Sequence, residues 1–321
     1  MVGGVVETEA SVKHPDRNED AAFLDPEKGV AGIFDGLGGV TAGDKASARA
    51  AEFLAQNADK LPSRGTQEQA ESAMSDLIKN MSAAVAEVRN LPEVRASVKE
   101  YLSKNGLDPT NETLIERVGE AVSTTAEVVK IWQDKGGKSK VTIGGAGDSR
   151  VYRLRGGKLT QLSRDDSPIT ALKELGIITD NQPLDEEMPR AMLEKAALAK
   201  PTEMQTALDQ TVGKETFSLH DIRNIVTQSL GADTLLKRRG QEFKPNVQTF
   251  DVEEEDELFL VSDGPSDNVS DEEMEGIANK FPGQPDLAAR ETKKLAYERS
   301  KGGHPRSKAD DVTIIALKIG K

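Results

Sequence analysis

The sequence predicts an α+β protein built on antiparallel sheet, and two observations carry this prediction. Four short β-rich runs follow one another between residues 124 and 162, separated by the glycine turns DKGGK and RGGK, which is the spacing of an antiparallel meander. Helical periodicity lies on both sides of these runs, over residues 66–90 and 287–300. This order is not that of a βαβ fold.

The composition argues against several classes of function. The 321 residues carry 42 Lys+Arg against 55 Asp+Glu, a formal net charge of −13, which disfavours nucleic-acid or anionic-membrane partners and suits a site for divalent cations. With no cysteine and three histidines, the chain supplies neither a disulfide framework nor the usual ligands of zinc. No apolar run approaches the roughly 18 residues that span a bilayer, and the N-terminus lacks the build of a signal peptide. We therefore expect a cytoplasmic protein.

The first part of the chain is predicted to contain strands followed by helices. The expected elements are an edge strand within 2–12, strands at 21–24 and 30–34, helices at 43–60 and 66–90, and a broken helical segment at 92–119. The buried strand stops at Asp35 and opens into Gly36, Gly38 and Gly39, which allow a sharp turn and leave carbonyls open to a ligand. Considered alone, an Asp-Gly pair is more often a simple turn.

The second part is predicted to carry an insertion. Residues 168–240 are polar and helix-leaning with repeated Pro and Gly stops, so we interpret them as a helical insertion, or flap, in a single domain of residues 1–321. The later elements are strands at 247–252, 258–261 and 312–319 and helices at 271–280 and 287–300, with a plain loop at 302–308.

Acidic residues recur where the predicted strands meet loops. They are Glu19, Asp20, Asp35, Asp148, Asp263 and Asp310. Independent caps would scatter over both edges of a sheet, whereas a cluster at one edge would repel itself unless cations neutralised it. Carboxylates, a glycine carbonyl and waters are the ligands that Mg²⁺ and Mn²⁺ prefer, and two such ions can activate water for in-line attack on phosphorus. The pattern therefore suggests a dinuclear phosphohydrolase.

Five segments of the chain resemble, in order, the motifs of the metal-dependent Ser/Thr protein phosphatases of the 2C type (PPM), in their bacterial form. The segments are NEDAAF, IFDGLGGVTAGDKAS, GAGDSRVYRLRGGKLTQLSRDDS, LFLVSDGPSDNVS and ADDVTIIAL. The resemblance implies a four-layer α/β/β/α sandwich of two antiparallel sheets flanked by helices. It also implies two Mn²⁺ or Mg²⁺ ions at one end of that sandwich.

The resemblance assigns metal ligands to the motifs. It implies that Asp35 bridges both ions, that the Gly36 carbonyl binds one of them, and that Asp263 and Asp310 bind the other. The activity implied is hydrolysis of phosphoserine or phosphothreonine in a phosphorylated protein by a metal-bound water, carried out by a monomer.

Further acids receive roles from the same resemblance. Glu19 and Asp20 would hold metal-bound waters, which places them with Asp35 among the catalytic residues. Asp148 and Asp267 match acids that bacterial members use around a third, weaker metal.

Two departures from the family's motifs concern substrate chemistry. Pro15 stands where the family usually has a phosphate-binding arginine, and Arg17 is the candidate substitute, with Lys13 and His14 as alternatives. Leu37 stands where animal members have a histidine that acts as general acid, which leaves metal-bound water as the proton source.

Three further departures lie in the later motifs. Asp311 replaces the usual asparagine and is expected to add a negative charge beside the metals, Asp166 stands where histidine is common, and Pro265 replaces an apolar residue. Two alternatives to an active phosphatase therefore stay open. One is a phosphatase-like regulatory or binding protein that is weak or inactive in catalysis, and the other is an adaptor whose acids are only structural caps.

Overall fold

The computed structural model of the chain describes residues 2–37, 42–179, 182–238, 240 and 242–320. Its strands are β1 (Val2–Glu9), β2 (Asp20–Asp25), β3 (Val30–Leu37), β4 (Arg64–Gly65), β5 (Ser123–Thr124), β6 (Ala126–Asp134), β7 (Ser139–Ala146), β8 (Arg150–Arg155), β9 (Lys158–Gln161), β10 (Met188–Pro189), β11 (Thr216–Phe217), β12 (Asn246–Asp251), β13 (Glu257–Val261) and β14 (Val312–Ile319).

The described helices all lie between these strands along the chain. They are α1 (Gly43–Asn57), α2 (Gln67–Ala86), α3 (Pro92–Lys104), α4 (Glu112–Gly119), α5 (Pro168–Glu174), α6 (Ala191–Ala199), α7 (Pro201–Gln210), α8 (Leu219–Ile222), α9 (Asp233–Arg238), α10 (Asp263–Asn268), α11 (Asp271–Ala278) and α12 (Pro285–Ser300). No described helix is both long and apolar enough to cross a membrane.

Two sheets form the centre of the molecule. The first has the order β1-β14-β13-β8-β9, and the second has the order β12-β7-β6-β3-β2, with β5 added to β3 and β4 added in parallel to β6. Every neighbouring pair along these two orders is antiparallel. The predicted edge strand is β1, which pairs with β14 along its whole length.

Apolar side chains fill three spaces between four layers. Ile33 of the second sheet and Leu260 and Ile315 of the first are fully buried in one cluster, so the sheets pack face to face. The outer face of the second sheet packs on α1 and α2, and that of the first on α11 and α12. Burial of these apolar surfaces is the main stabilising term of the fold. The predicted α/β/β/α sandwich is therefore confirmed.

The prediction of one continuous meander is wrong at its centre. Strands β6 and β7 form a hairpin in the second sheet, whereas β8 and β9 form a hairpin in the first. The chain crosses between the sheets at Gly147, whose φ of +112° suits glycine. Alternation of apolar residues reports burial of a face but not which sheet a strand joins, so the sequence pattern could not separate the two hairpins.

The segment predicted as an insertion packs in two places. Helices α5 to α8 enclose an apolar cluster of their own, which includes Leu172, Leu193 and Phe217. Helix α9 instead joins the layer outside the second sheet, where Leu236 is buried and Asp233 accepts a hydrogen bond from Ser82 Oγ at 2.6 Å. Within the predicted insertion of residues 168–240, only the part around the cluster of α5 to α8, residues 168–225, is called the flap below.

Glu127 of β6 lies buried between the sheets, and Oε2 of its carboxyl has no hydrogen-bond partner among the described residues. Burial, together with the charges of Asp166 and Asp165, raises the pKa of this carboxyl well above its ordinary value of 4.5. A raised folded-state pKa contributes stability that is present below the unfolded pKa and is lost as pH rises through the folded value.

We therefore expect Glu127→Gln to remove part of the pH dependence of stability. The variant should gain free energy of unfolding relative to wild type as pH rises above 4.5, with a slope of at most about 1.4 kcal/mol per pH unit. Urea denaturation from pH 4.5 to pH 8 measures this difference. The exposed Glu116→Gln on α4 is the matched control, and a Glu127→Gln profile parallel to that of wild type would contradict the expectation.

Candidate active site

Strand pairing brings the predicted acids to one end of the sandwich. Asp20 is directly opposite Asp35 in the pairing of β2 with β3. Asp263 follows β13 in the other sheet, and Ser262 Oγ donates to Asp20 Oδ2 at 2.7 Å across the gap between the sheets. The same hydroxyl accepts the Thr313 main-chain N–H at 3.1 Å. The ends of β2, β3, β13 and β14 therefore meet.

The backbone of Asp35 is held by two threonines. Its N–H donates to Thr125 Oγ1 at 3.0 Å, and its carbonyl accepts from Thr125 N and Thr124 Oγ1, each at 2.8 Å. Only 8% of Asp35 is exposed. These bonds orient the residue without using its carboxylate, which lies within hydrogen-bonding distance of the Asp263 carboxylate.

Gly36 lies where no side chain fits. Its N–H donates to the Glu19 carbonyl at 3.1 Å, and a Cβ would lie 2.2 Å from the Gly43 carbonyl oxygen at the start of α1. Glycine is required here because two main-chain segments approach closely. Gly38 and Gly39, which the sequence suggested would continue this turn, lie outside the described residues.

Mutual repulsion and burial both raise the pKa values of the acids at this end of the sandwich. Burial and the charges of Asp263, Asp20, Asp310 and Asp148 raise the pKa of Asp35 well above its usual range, in that order of importance. Burial is also the leading cause of the raised pKa of Asp20, Asp148 and Asp263. A group of carboxylates arranged in this way is costly unless positive charge compensates it.

Two oxygens of this group are buried without a hydrogen-bond partner in the described part of the chain. They are Asp20 Oδ1 and Asp263 Oδ1. Oxygen atoms of carboxylates are the ligands preferred by Mg²⁺ and Mn²⁺, and an orphaned buried oxygen is satisfied when a cation binds it. The donor set therefore fits hard divalent ions.

A lysine that sequence reasoning missed lies inside the acidic group. The Lys308 ammonium forms ion pairs with Asp263, with Asp267 at 2.9 Å and with Asp310 at 3.2 Å. The segment 302–308 was expected to be only a loop. The available signal was the position of Lys308, two residues before Asp310 in the motif ADDVTIIAL.

Glu19, Arg17 and His14 form a neighbouring group. Arg17 Nη2 lies 3.0 Å from Glu19 Oε1, and His14 Nε2 lies 3.9 Å from Glu19 Oε2. Burial raises the pKa of Glu19, while the charges of Arg17 and His14 act in the opposite direction. The structure thus places the candidate phosphate-binding arginine in an ion pair with a candidate catalytic acid.

Asp311 makes hydrogen bonds that explain its place in the last motif. Its carboxylate accepts the main-chain N–H groups of Ser11 at 2.6 Å and Glu19 at 2.7 Å. His14 Nδ1 lies 3.7 Å from the same carboxylate. The expected extra charge beside the metals is therefore engaged in holding the turn before β2, where two N–H donors require an acceptor.

The Asp166 carboxylate also accepts hydrogen bonds that hold the fold together. It accepts them from Gly147 N at 3.1 Å, Asn246 Nδ2 at 2.9 Å and Gln228 Nε2 at 3.2 Å. These donors come from the crossover between sheets, from β12 and from the segment that follows the flap. The Asp166 carboxylate, which stands in place of the usual histidine, thus joins three segments.

A cavity of about 1010 Å³ opens between the acids and the flap. Its lining includes the acids Asp148, Asp263 and Asp267 and the cations Arg223 and Arg306. The Arg306 guanidinium donates to the main-chain carbonyl of Asp267 at 3.1 Å, so it is held beside the acids. The volume of the cavity is comparable with those of the larger ligand sites of proteins.

The sequence matches no protein-family model and no curated protein sequence. Solved structures do share its architecture over its full length. The Mycobacterium tuberculosis serine/threonine phosphatase PstP/Ppp has 20% identity and a TM-score of 0.59, with 100% of this chain and 99% of that chain covered.

Two further structures give the same result. Staphylococcus aureus Stp1, a serine/threonine phosphatase, has 21% identity and a TM-score of 0.60, with coverage of 100% of this chain and 96% of that one. The PstP catalytic domain in complex with two manganese ions has 20% identity and a TM-score of 0.56, with coverage of 100% and 99%. The protein therefore has the fold of the bacterial PPM-type Ser/Thr protein phosphatases.

Proposed function

We propose that the protein is a metal-dependent phosphatase that hydrolyses phosphoserine and phosphothreonine in phosphorylated proteins. The observation that carries the proposal is the meeting of Asp20, Asp35, Asp263 and Asp310 at one end of the sandwich, beside a cavity of about 1010 Å³. The fold shared with solved Ser/Thr phosphatases, one of them holding two manganese ions, supports it.

The residues that would hold the cations follow from the same arrangement. Asp35, the Gly36 carbonyl, Asp263 and Asp310 are the proposed ligands of two Mn²⁺ or Mg²⁺ ions. Asp148 and Asp267 are proposed for a third, weaker site. Divalent ions held by these oxygens would supply Lewis-acid chemistry and would lower the pKa of water for attack on phosphorus.

The chain's own groups position the reactants. Ser262 orients Asp20 through its hydroxyl, and we assign to Asp20 and Glu19 the orientation of water at the site. Arg17 is the proposed phosphate cation, although contact with phosphate requires its guanidinium to share or leave Glu19. Leu37 offers no proton, so the leaving group takes its proton from water. We further propose that the protein acts as a cytoplasmic monomer.

Two measurements on wild type test this proposal. Hydrolysis of p-nitrophenyl phosphate and of a phosphothreonine peptide should require Mn²⁺ or Mg²⁺ and cease with EDTA. In a melting experiment, an ion present at a hundred times its dissociation constant should raise the free energy of unfolding by about 2.7 kcal/mol. A protein neither stabilised nor activated by either ion would overturn the proposal and favour acids that only cap strands.

A second candidate function is a binding or regulatory protein that keeps the fold without useful turnover. The observation in its favour is the Lys308 ammonium among Asp263, Asp267 and Asp310. Stabilisation by Mn²⁺ with no hydrolysis of either substrate would select this function over the first.

A further inference from the structure

Lys308 lies among the acids with only a small part of its side chain exposed. Its side chain is 12% exposed, and its ammonium pairs with three carboxylates. Two of these, Asp263 and Asp310, are the proposed ligands of one cation, and the third, Asp267, is proposed for the weaker site. The ammonium thus occupies space among oxygens that a divalent ion would need.

The main chain around Lys308 is anchored, so its side chain extends from a fixed point beside the acids while its ammonium can still move. Lys308 N donates to Asn268 Oδ1 at 3.0 Å, and the Lys308 carbonyl accepts from Asn268 Nδ2 at 2.9 Å. Arg306 adds a bond to the Ser266 carbonyl at 2.8 Å. Because Asn268 is fully buried at the end of α10, the loop is fastened to the same helix that begins at Asp263.

We propose that Lys308 is a built-in competitor of the divalent ion held by Asp263 and Asp310, with Asp267 as the third carboxylate that pairs with its ammonium. Its ammonium offsets part of the negative charge of these acids when metal is scarce, and it must leave them before an ion can bind there. This inference rests on the proposed function only in its assignment of these acids as metal ligands. It adds that metal occupancy at this position is set by an internal cation.

The physical reason is that the two cations need the same oxygens. A divalent ion such as Mg²⁺ binds carboxylate oxygens at about 2.0–2.1 Å, whereas the ammonium lies 2.9 Å from Asp267 and 3.2 Å from Asp310. Positive charges only a few ångströms apart repel strongly inside a protein. Simultaneous binding is therefore unfavourable, and removal of the ammonium should strengthen metal binding.

Calorimetric titration with Mn²⁺ tests the proposal on the 321-residue chain. Lys308→Met should lower the Kd at one position by at least about tenfold relative to wild type, because the competing charge is gone. Lys308→Arg keeps the charge and should bind Mn²⁺ as wild type does. Lys318→Met is the matched control and should also leave the Kd unchanged. Lys318 lies near the far end of β14, where it forms an ion pair with Glu255.

A measurement on wild type covers the case in which Lys308→Met does not fold. Acetic anhydride labelling followed by mass spectrometry reports the accessibility of individual amines. Added Mn²⁺ should increase the acylation of Lys308 several-fold, because the displaced ammonium becomes exposed, and should leave Lys318 unchanged. Equal labelling of Lys308 with and without bound Mn²⁺ would overturn the proposal.

The results separate this inference from the function on which it rests. Equal Mn²⁺ affinity in folded wild type and Lys308→Met overturns the competition and leaves the metal site in place. No Mn²⁺ binding by wild type, Lys308→Met or Lys308→Arg overturns the metal site, and the competition with it.

Discussion

Asp35→Asn is expected to lower Mn²⁺-dependent hydrolysis of p-nitrophenyl phosphate by at least about 100-fold. Even the outer partners of metal ligands are worth roughly 10- to 100-fold in affinity or activity, and Asp35 is proposed to bind both ions directly. Its amide replacement keeps the shape of the side chain but removes the charge that holds the cations. Steady-state rates with saturating Mn²⁺ measure the effect, and an undiminished rate would contradict the role assigned to Asp35.

The same variant should be more stable than wild type when no metal is present. Burial and four neighbouring acids raise the pKa of Asp35, so its folded value lies above its unfolded value. The stability contributed by the neutral carboxyl is present at low pH and is lost as pH rises through the folded pKa. The amide in Asp35→Asn does not titrate, so the variant escapes that loss and its advantage in free energy of unfolding should increase with pH.

Urea denaturation in EDTA at pH 5 and pH 8 measures this second effect. Asp76→Asn on the exposed face of α2 is the matched control and should show no such pH-dependent gain. Loss of activity together with a gain of metal-free stability would identify Asp35 as a functional residue that costs the fold stability. A loss of both would show instead that the substitution damages the fold.

Gly36→Ala is expected to destabilise the protein by roughly 3 kcal/mol and to abolish Mn²⁺ binding at the proposed site. Its Cβ would lie 2.2 Å from the Gly43 carbonyl oxygen and 2.8 Å from that of Glu19, and both atoms belong to main chain that no rotamer change can move. The start of α1 would have to shift away from β3, which displaces the Gly36 carbonyl.

Gly276→Ala supplies the control for this substitution. Gly276 lies on the exposed face of α11, and a Cβ there would meet none of the described atoms within 4 Å. In a helix interior this change should stabilise by up to about 1 kcal/mol. Urea denaturation compares the two variants, and a Gly36→Ala protein as stable as Gly276→Ala would show that the close approach of β3 and α1 is not required.

The local sequence pattern was sufficient to predict several strands and helices. An apolar run of strand length predicts strand β14 at Val312–Ile319, and helical periodicity with Thr66 and Gln69 as a capping box accounts for α2. Short apolar runs were located correctly but not assigned to a sheet, because β7 and β8 have the same kind of pattern although they belong to different sheets.

The same distinction applies to the candidate site, where some residues could be predicted from the sequence and others could not. The order of motifs identified Asp35, Asp263 and Asp310 as candidate ligands, since each lies where a strand meets a loop. It did not reveal that Lys308 enters the group, because a loop sequence carries no information about where a long side chain ends. The partners of Asp311 were equally hidden, since Ser11 and Asp311 are 300 positions apart in the chain.

Residues close together in the chain set periodicity, turns and caps, so the long strands, most helices outside the insertion and the strand-end acids could be located from the sequence. The sharing of strands between the sheets, the meeting of the acids and the ammonium among them became visible only in the folded chain. Those outcomes depend on the packing of two sheets whose contacting residues are distant in sequence. The competition proposed for Lys308 is a property of that packing.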